Sequence, residues 1–219
     1  MTIIEAMKAR HSVRGFRKMQ IPAEIREDLN ALAEKINEET GLAIDIIYDD
    51  RGGFDSRLAR YGKFENVVNY IVLAGDKDED IDELCGYYGE QLVLHAQQLG
   101  LNTCWVGLTF NKKLVKQLIR PDQKLVAVIA LGYGLTQGSP HKSKSIDQVV
   151  VTKGEMPDWF KAGVEAALLA PTAMNQQKFV IGTIEGEPAI EMVGRGPYRY
   201  VDLGIVKYHF EKASGRKVL

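Results

Sequence analysis

The sequence predicts an α+β fold or a mixed three-layer sandwich. Three observations lead there. Segments of helical periodicity and segments of β-branched, apolar character both occur, yet they follow no regular strand-helix-strand alternation. The chain of 219 residues lies within the range of one compact domain with a sizeable core. Apolar residues make up 45% of it, enough to fill that core, and no apolar run is long enough to span a bilayer.

The elements follow in order. Ile3, Ile4 and Met7 lie at helical spacing, which predicts a short helix over 2–10. Pro22 opens a second helix, with Ile25, Leu29, Leu32 and Ile36 on one face and Gly41 as its stop. Residues 43–48 read as a strand and 49–53 as a turn-rich loop. Residues 66–74 form a buried strand. An acidic turn, 76–82, places negative charge at the start of a helix over 81–99 that stops at Gly100. Residues 103–108 and 124–131 are strands, with a short helix at 111–119 between them. The stretch 135–148 is rich in Gly, Ser, Pro and Lys and reads as a loop. Helical spacing resumes at Trp159, Gly163, Ala166, Ala167 and Ala170. A strand at 179–184, a turn at Arg195-Gly196-Pro197 and a helix over 201–213 complete the chain. A weak echo links Gly86-Tyr87-Tyr88-Gly89-Glu90-Gln91 with Val201-Asp202-Leu203-Gly204-Ile205.

Composition excludes several classes. A formal net charge of −1 gives no field to recruit nucleic acid or an anionic membrane. Cys85 and Cys104 form neither a metal-ligand spacing nor a disulfide framework. The first residues carry Glu5 and no signal-like apolar core, so a cytoplasmic location is expected.

Two polar segments stand out. In Arg10-His11-Ser12-Val13-Arg14-Gly15-Phe16 the side chains of Arg10, Ser12 and Arg14 alternate, and an extended backbone would aim all three to one side. Guanidinium forks and a hydroxyl suit a phosphate; the alternative is a helix end whose Lys8 and Arg10 complement the dipole. Near the other end, Ala170-Pro171-Thr172-Ala173-Met174-Asn175-Gln176-Gln177 ends a small-residue helix at a proline and presents Thr172, Asn175 and Gln177. Read alone, it is a capped helix end with a polar turn.

Together these segments resemble the two signatures of the FMN-dependent nitroreductase family. Gly100-Leu101-Asn102-Thr103-Cys104-Trp105-Val106-Gly107 is similar to a third family stretch, with Asn102 in place of a glycine because asparagine tolerates a left-handed backbone. A fourth is Gly132-Tyr133-Gly134 followed by Pro140-His141-Lys142-Ser143-Lys144. The resemblance departs at Lys178 and Phe179, where the family has proline and tryptophan.

The resemblance implies a nitroreductase-like α/β/α sandwich with a mixed, mainly antiparallel sheet. It implies FMN bound by Arg10, His11, Ser12, Arg14, Val106, Gly107, Lys142, Lys144, Pro171, Thr172, Ala173, Asn175 and Gln177, with the backbone at Val106 and Gly107 facing flavin N5. NADH or NADPH would be the electron donor and a nitroaromatic, quinone or similar small molecule the acceptor. In ordinary members the two signature segments lie close together in sequence; here most of a domain separates them. A single-chain pseudo-dimer follows as the expectation: one domain over 1–219 with pseudo-symmetric parts at about 1–150 and 151–219, one FMN per chain, monomeric or a weak homo-oligomer. Tyr61-Gly62-Lys63-Phe64 would be a lid. No catalytic triad is expected; His95, His209, Tyr198 and Tyr200 read as structural. The competing readings are a flavin-binding carrier, sensor or scaffold without useful turnover, and a flavin-free domain that keeps the fold.

Overall fold

The computed structural model describes residues 1–152 and 154–219. The chain divides into two compact units: residues 9–81 with 92–140, and residues 1–8 with 82–91 and 141–219.

The first unit is built on a four-stranded sheet in the order β1-β2-β4-β3, with β1 at Leu42–Ile47, β2 at Asn69–Gly75, β3 at Asn102–Val106 and β4 at Lys124–Gly132. All three ladders are antiparallel. The two central strands are buried along nearly their whole length, as their unbroken apolar sequences require. Helix α2 (Ala23–Thr40) opens at Pro22, whose missing N–H would have no partner in a first turn, and buries Leu29, Ala33 and Ile36. Its Asn37 side chain donates to Ile44 O and accepts from Ile44 N, both at 2.8 Å, fixing the helix to β1. On one sheet face Tyr70, Val72, Cys104, Val106, Val128 and Ala130 join Phe54, Phe64 and Phe110 in a core. Short helices α3 (Arg57–Tyr61) and α5 (Lys112–Val115) belong to this unit; α5 is half the length that the spacing predicts.

The second unit carries α6 (Asp158–Ala167), the hairpin β5–β6 (Phe179–Ile184 and Glu187–Met192) and α7 (Arg199–Ser214). It also takes the first half of α4 (Ile81–Gln98) and most of α1 (Ile3–Ala9). The α4–α7 crossing is unusually close. A Cβ on Gly86 would lie 2.1 Å from Val201 O, and one on Gly204 would lie 2.0 Å from Glu83 O. Each glycine meets the carbonyl three residues before the other, a local two-fold pattern joining the two sequences that echo each other. Next to the crossing, His209 Nδ1 donates to Ala166 O at 3.0 Å and its Nε2 meets Glu90 Oε1 at 2.9 Å, with both side chains fully buried. The expected structural role of His209 is what this geometry supplies. His95, in the first unit, pairs with Asp28 at 3.0 Å.

Candidate functional site

In the sheet unit, residues 12–17 run extended along the ends of β3 and β4. Val13 N donates to Thr103 O at 3.0 Å, Phe16 N to Glu65 O at 3.0 Å and Arg17 N to Tyr133 O at 2.8 Å. The alternation follows from this pairing: Val13 and Phe16 enter the core while Ser12 and Arg14 face solvent. Arg10 departs from the pattern by being buried. All three polar residues bear on one buried atom, Cys104 Sγ. Burial pushes that thiol up, while the Arg14 charge, a Ser12 hydrogen bond and the Arg10 charge oppose the shift. The opener and the strand 102–106 are therefore one constellation, although about 90 residues separate them in sequence.

Asn102 corrects an expectation. It is extended within β3, and the left-handed position is taken by Gly100 at φ 82°. The Asn102 side chain instead accepts from Gly134 N and donates to Gln137 Oε1, each at 2.9 Å, stapling β3 to the loop after β4. The Val106 side chain is buried in the core, and Gly107 follows directly where β3 ends. In the expected lid, Tyr61 is 84% exposed, whereas Phe64 is buried and packs on Phe54 with ring centroids 5.0 Å apart.

In the second unit, two segments that the sequence resemblance singled out are laced together. Helix α6 ends at Ala167, before the proline, and Leu168 O accepts from His141 Nε2 at 3.0 Å and from Ser143 Oγ at 3.1 Å. Lys142 O accepts from Asn175 Nδ2 at 2.9 Å and Gln177 Nε2 at 2.8 Å. Lys144 N donates to Gln177 Oε1 at 2.9 Å, and Lys144 Nζ to Gln177 O at 2.6 Å. Thr172 Oγ1 accepts from Gln177 N at 3.0 Å. Met174, Asn175 and Gln177 hold left-handed φ values of 53°, 54° and 46°. Such conformations cost roughly 1–3 kcal/mol each and persist where surrounding bonds over-determine them, as here.

The web assigns the polar groups unequally. Gln177 is buried, its amide accepts from Lys144 N and donates to Lys142 O and Asn175 Oδ1, and Lys144 Nζ donates to Gln177 O. Lys142 is exposed, as are Ser12 and Arg14 in the other unit. Asp202 of α7, which the sequence offered only within the stretch Val201-Asp202-Leu203-Gly204-Ile205 and without a role, meets this turn. It is buried and accepts from Ala173 N at 2.9 Å. Burial raises its carboxyl to about 6, against the lowering effect of that hydrogen bond. Its sequence signal was its place in that echo, which gave no hint of the Ala173 amide as its partner.

The family described as "Putative TM nitroreductase" matches residues 2–214. The chain belongs to this family. A solved protein of Thermotoga maritima, described as a putative nitroreductase, is 26% identical; the match covers 99% of this chain and 87% of that one, with a TM-score of 0.69. A nitroreductase family protein of Streptococcus pneumoniae, 12% identical, matches over 69% of this chain and all of its own (100%) at a TM-score of 0.56. An FMN-dependent nitroreductase of Clostridium difficile, 18% identical, matches over 61% and 88% at 0.51. No curated protein matches the chain. The nitroreductase-like α+β fold, an antiparallel sheet flanked by helices, is thus established, and family membership supports flavin-dependent oxidoreductase chemistry in general terms. Among the described residues no helix is long and apolar enough to cross a membrane.

Proposed function

We propose that this member of the TM nitroreductase family is an FMN-dependent oxidoreductase. It would pass electrons from NADH or NADPH to a small acceptor such as a nitroaromatic or a quinone. The observation that carries this reading is the lacing of 141–144 to 168–177. Two stretches that resemble separate parts of the family's flavin site are bound to each other by at least six hydrogen bonds. The donor set fits the group. Ser12 and Arg14 are exposed and Arg10 is buried in the extended opener of the sheet unit, and Lys142 is exposed on a loop of the second unit. Guanidinium, ammonium and hydroxyl groups are the donors that a phosphate monoester needs.

The bound flavin would supply the hydride and electron transfer, so the chain need not contribute a nucleophile. In this reading the phosphate-binding candidates of the sheet unit are Arg10, His11, Ser12 and Arg14, and that of the second unit is Lys142. The backbone at Val106 and Gly107 approaches N5. Pro171, Thr172, Ala173 and Asn175 line the ribityl and pyrimidine side. Gln177 and Lys144 act as the frame that holds that turn in place. The two-fold pattern at Gly86 and Gly204 favours the single-chain pseudo-dimer, and with it one FMN per chain.

The test is the visible spectrum of the purified protein, followed by FMN titration if it is colourless. Flavin absorption saturating at one FMN per chain, bleached by NADH or NADPH without oxygen, is the expected result. Two FMN per chain removes the pseudo-dimer. Binding without bleaching leaves a carrier or scaffold, and a folded protein that binds no FMN removes the flavin reading.

A further inference from the structure

The turn 172–177 is strained, and its hydrogen bonds come mostly from the 141–144 loop. One comes from elsewhere. Asp202 Oδ1, in the first turns of α7, accepts the Ala173 amide at 2.9 Å from a buried position. We propose that Asp202 is a positioning residue for the flavin site, clamping the Ala173 amide so that residues 172–177 stay in the left-handed path that binds flavin. The inference rests on the flavin reading above and adds a residue to it.

The geometry argues for the clamp. Ala173 begins the short turn that contains Met174 and Asn175, two of the three left-handed residues. A bond to an ionised acceptor is worth roughly twice a neutral one. The helix carrying Asp202 is itself fixed by the glycine crossing and by the buried His209–Glu90 pair, so the acceptor is immobile. The carboxylate also costs the fold stability. Its folded value, about 6, lies above the ordinary value for aspartate, so the native state binds more protons between the two. Stability therefore falls as pH rises from about 4 to about 6 and levels off above that. A group that weakens the fold at neutral pH yet bonds to a strained binding turn is better explained by function than by packing.

The charged and titratable groups on the neighbouring elements of this unit do not replace it. Glu83 of α4 pairs with Lys207 at 2.7 Å, and the Asp82 charge bears on Tyr198. Lys144 is bonded to Gln177, while Lys142 and Lys178 are exposed.

The test measures FMN dissociation constants for the wild type, Asp202→Asn and Asp202→Ala between pH 5 and pH 8. The FMN phosphate also titrates near 6, so the quantity read is the ratio of variant to wild type at each pH. Asparagine keeps a neutral acceptor. Its ratio is expected near one at pH 5, rising to about threefold to tenfold at pH 8 as the wild-type carboxylate ionises. Alanine is expected at about tenfold or more at pH 8. A ratio for asparagine that does not change with pH, or an alanine variant that binds as the wild type does, overturns the proposal. The amide proton shift of Ala173, followed by NMR in the protein without flavin, is a second readout that survives a misfolded alanine variant. It should titrate with a midpoint near 6 in the wild type and be flat in Asp202→Asn; a flat wild-type trace overturns the clamp. Should the wild type bind no FMN at either pH, the flavin reading fails, and the Ala173 trace then shows whether the clamp itself exists.

Discussion

Arg14 shows how position turns a common residue into a candidate for a specific task. Its neighbours Val13 and Phe16 are core residues, so the backbone between them cannot rotate without exposing apolar area. The guanidinium is thereby held at the surface, 5.8 Å from the Phe64 ring centroid, with its charge felt at Cys104. A fixed cation next to a reducible ring stabilises the anionic reduced form over the oxidised one. Arg14→Ala is expected to lower the midpoint potential of bound FMN by on the order of tens of millivolts, as the loss of one partly screened charge implies. Spectroelectrochemistry or equilibration with a redox dye measures it, and an unchanged potential removes that role while leaving phosphate binding open to an affinity measurement. The alternation that placed Arg14 was readable in the sequence, because a strand-like segment has a period of two. The role of Asp202 was not readable, because its partner amide lies 29 residues away and no local period connects them.

Elements were most legible where one face alone is buried. The long helix α2 has a single apolar stripe, a proline at its start and a glycine at its end, and it appears where the pattern predicts. The helices α4 and α7 appear too, but a stripe describes them poorly. In α7 every residue from Val201 to Val206 is buried, and in α4 so are Leu92, Val93 and Leu94. Helices buried all round lose the periodic signal. Strand β6 went unseen for a different reason: Glu187 and Pro188 open it, and proline is tolerated only because the strand pairs on one side in a two-stranded sheet. The glycines at the α4–α7 crossing make a quantitative prediction at this scale. Gly204→Ala or Gly86→Ala places a methyl group about 2 Å from a backbone carbonyl, and neither helix backbone can yield as a side chain would. The helices must separate, uncovering the Glu90–His209 pair nearby. Each substitution is expected to destabilise the protein by about 1–3 kcal/mol or more in urea unfolding. Gly196→Ala, in a turn with nothing within 4 Å, should change stability little. Equal effects at the three positions would show that the crossing is looser than the backbone implies.

For the molecule as a whole, the order of the chain and the order of the structure disagree, and this has a consequence for folding. The second unit is not the C-terminal third of the sequence. It takes 141–219 together with 82–91 and 1–8. The middle segment supplies Glu83 to Lys207, Glu90 to His209, Tyr87 to Glu211 at 2.7 Å, and the carbonyl and glycine that α7 requires at Gly204 and Val201. A fragment of 141–219 alone would keep His209 in a helix with no carboxylate and an exposed glycine groove with no partner. Leaving a buried polar group without its hydrogen-bond partner costs about 1–3 kcal/mol, and loss of a helix face adds the apolar area that it covered. A unit of this size has a total stability of the same order. The fragment 141–219 is therefore expected to be largely unfolded by circular dichroism and amide dispersion, although it contains the complete Pro171–Gln177 turn and Asp202. It should also bind no FMN. A folded 141–219 would mean that the α4 segment is dispensable, and the local two-fold crossing would then no longer support the proposed single-chain pseudo-dimer.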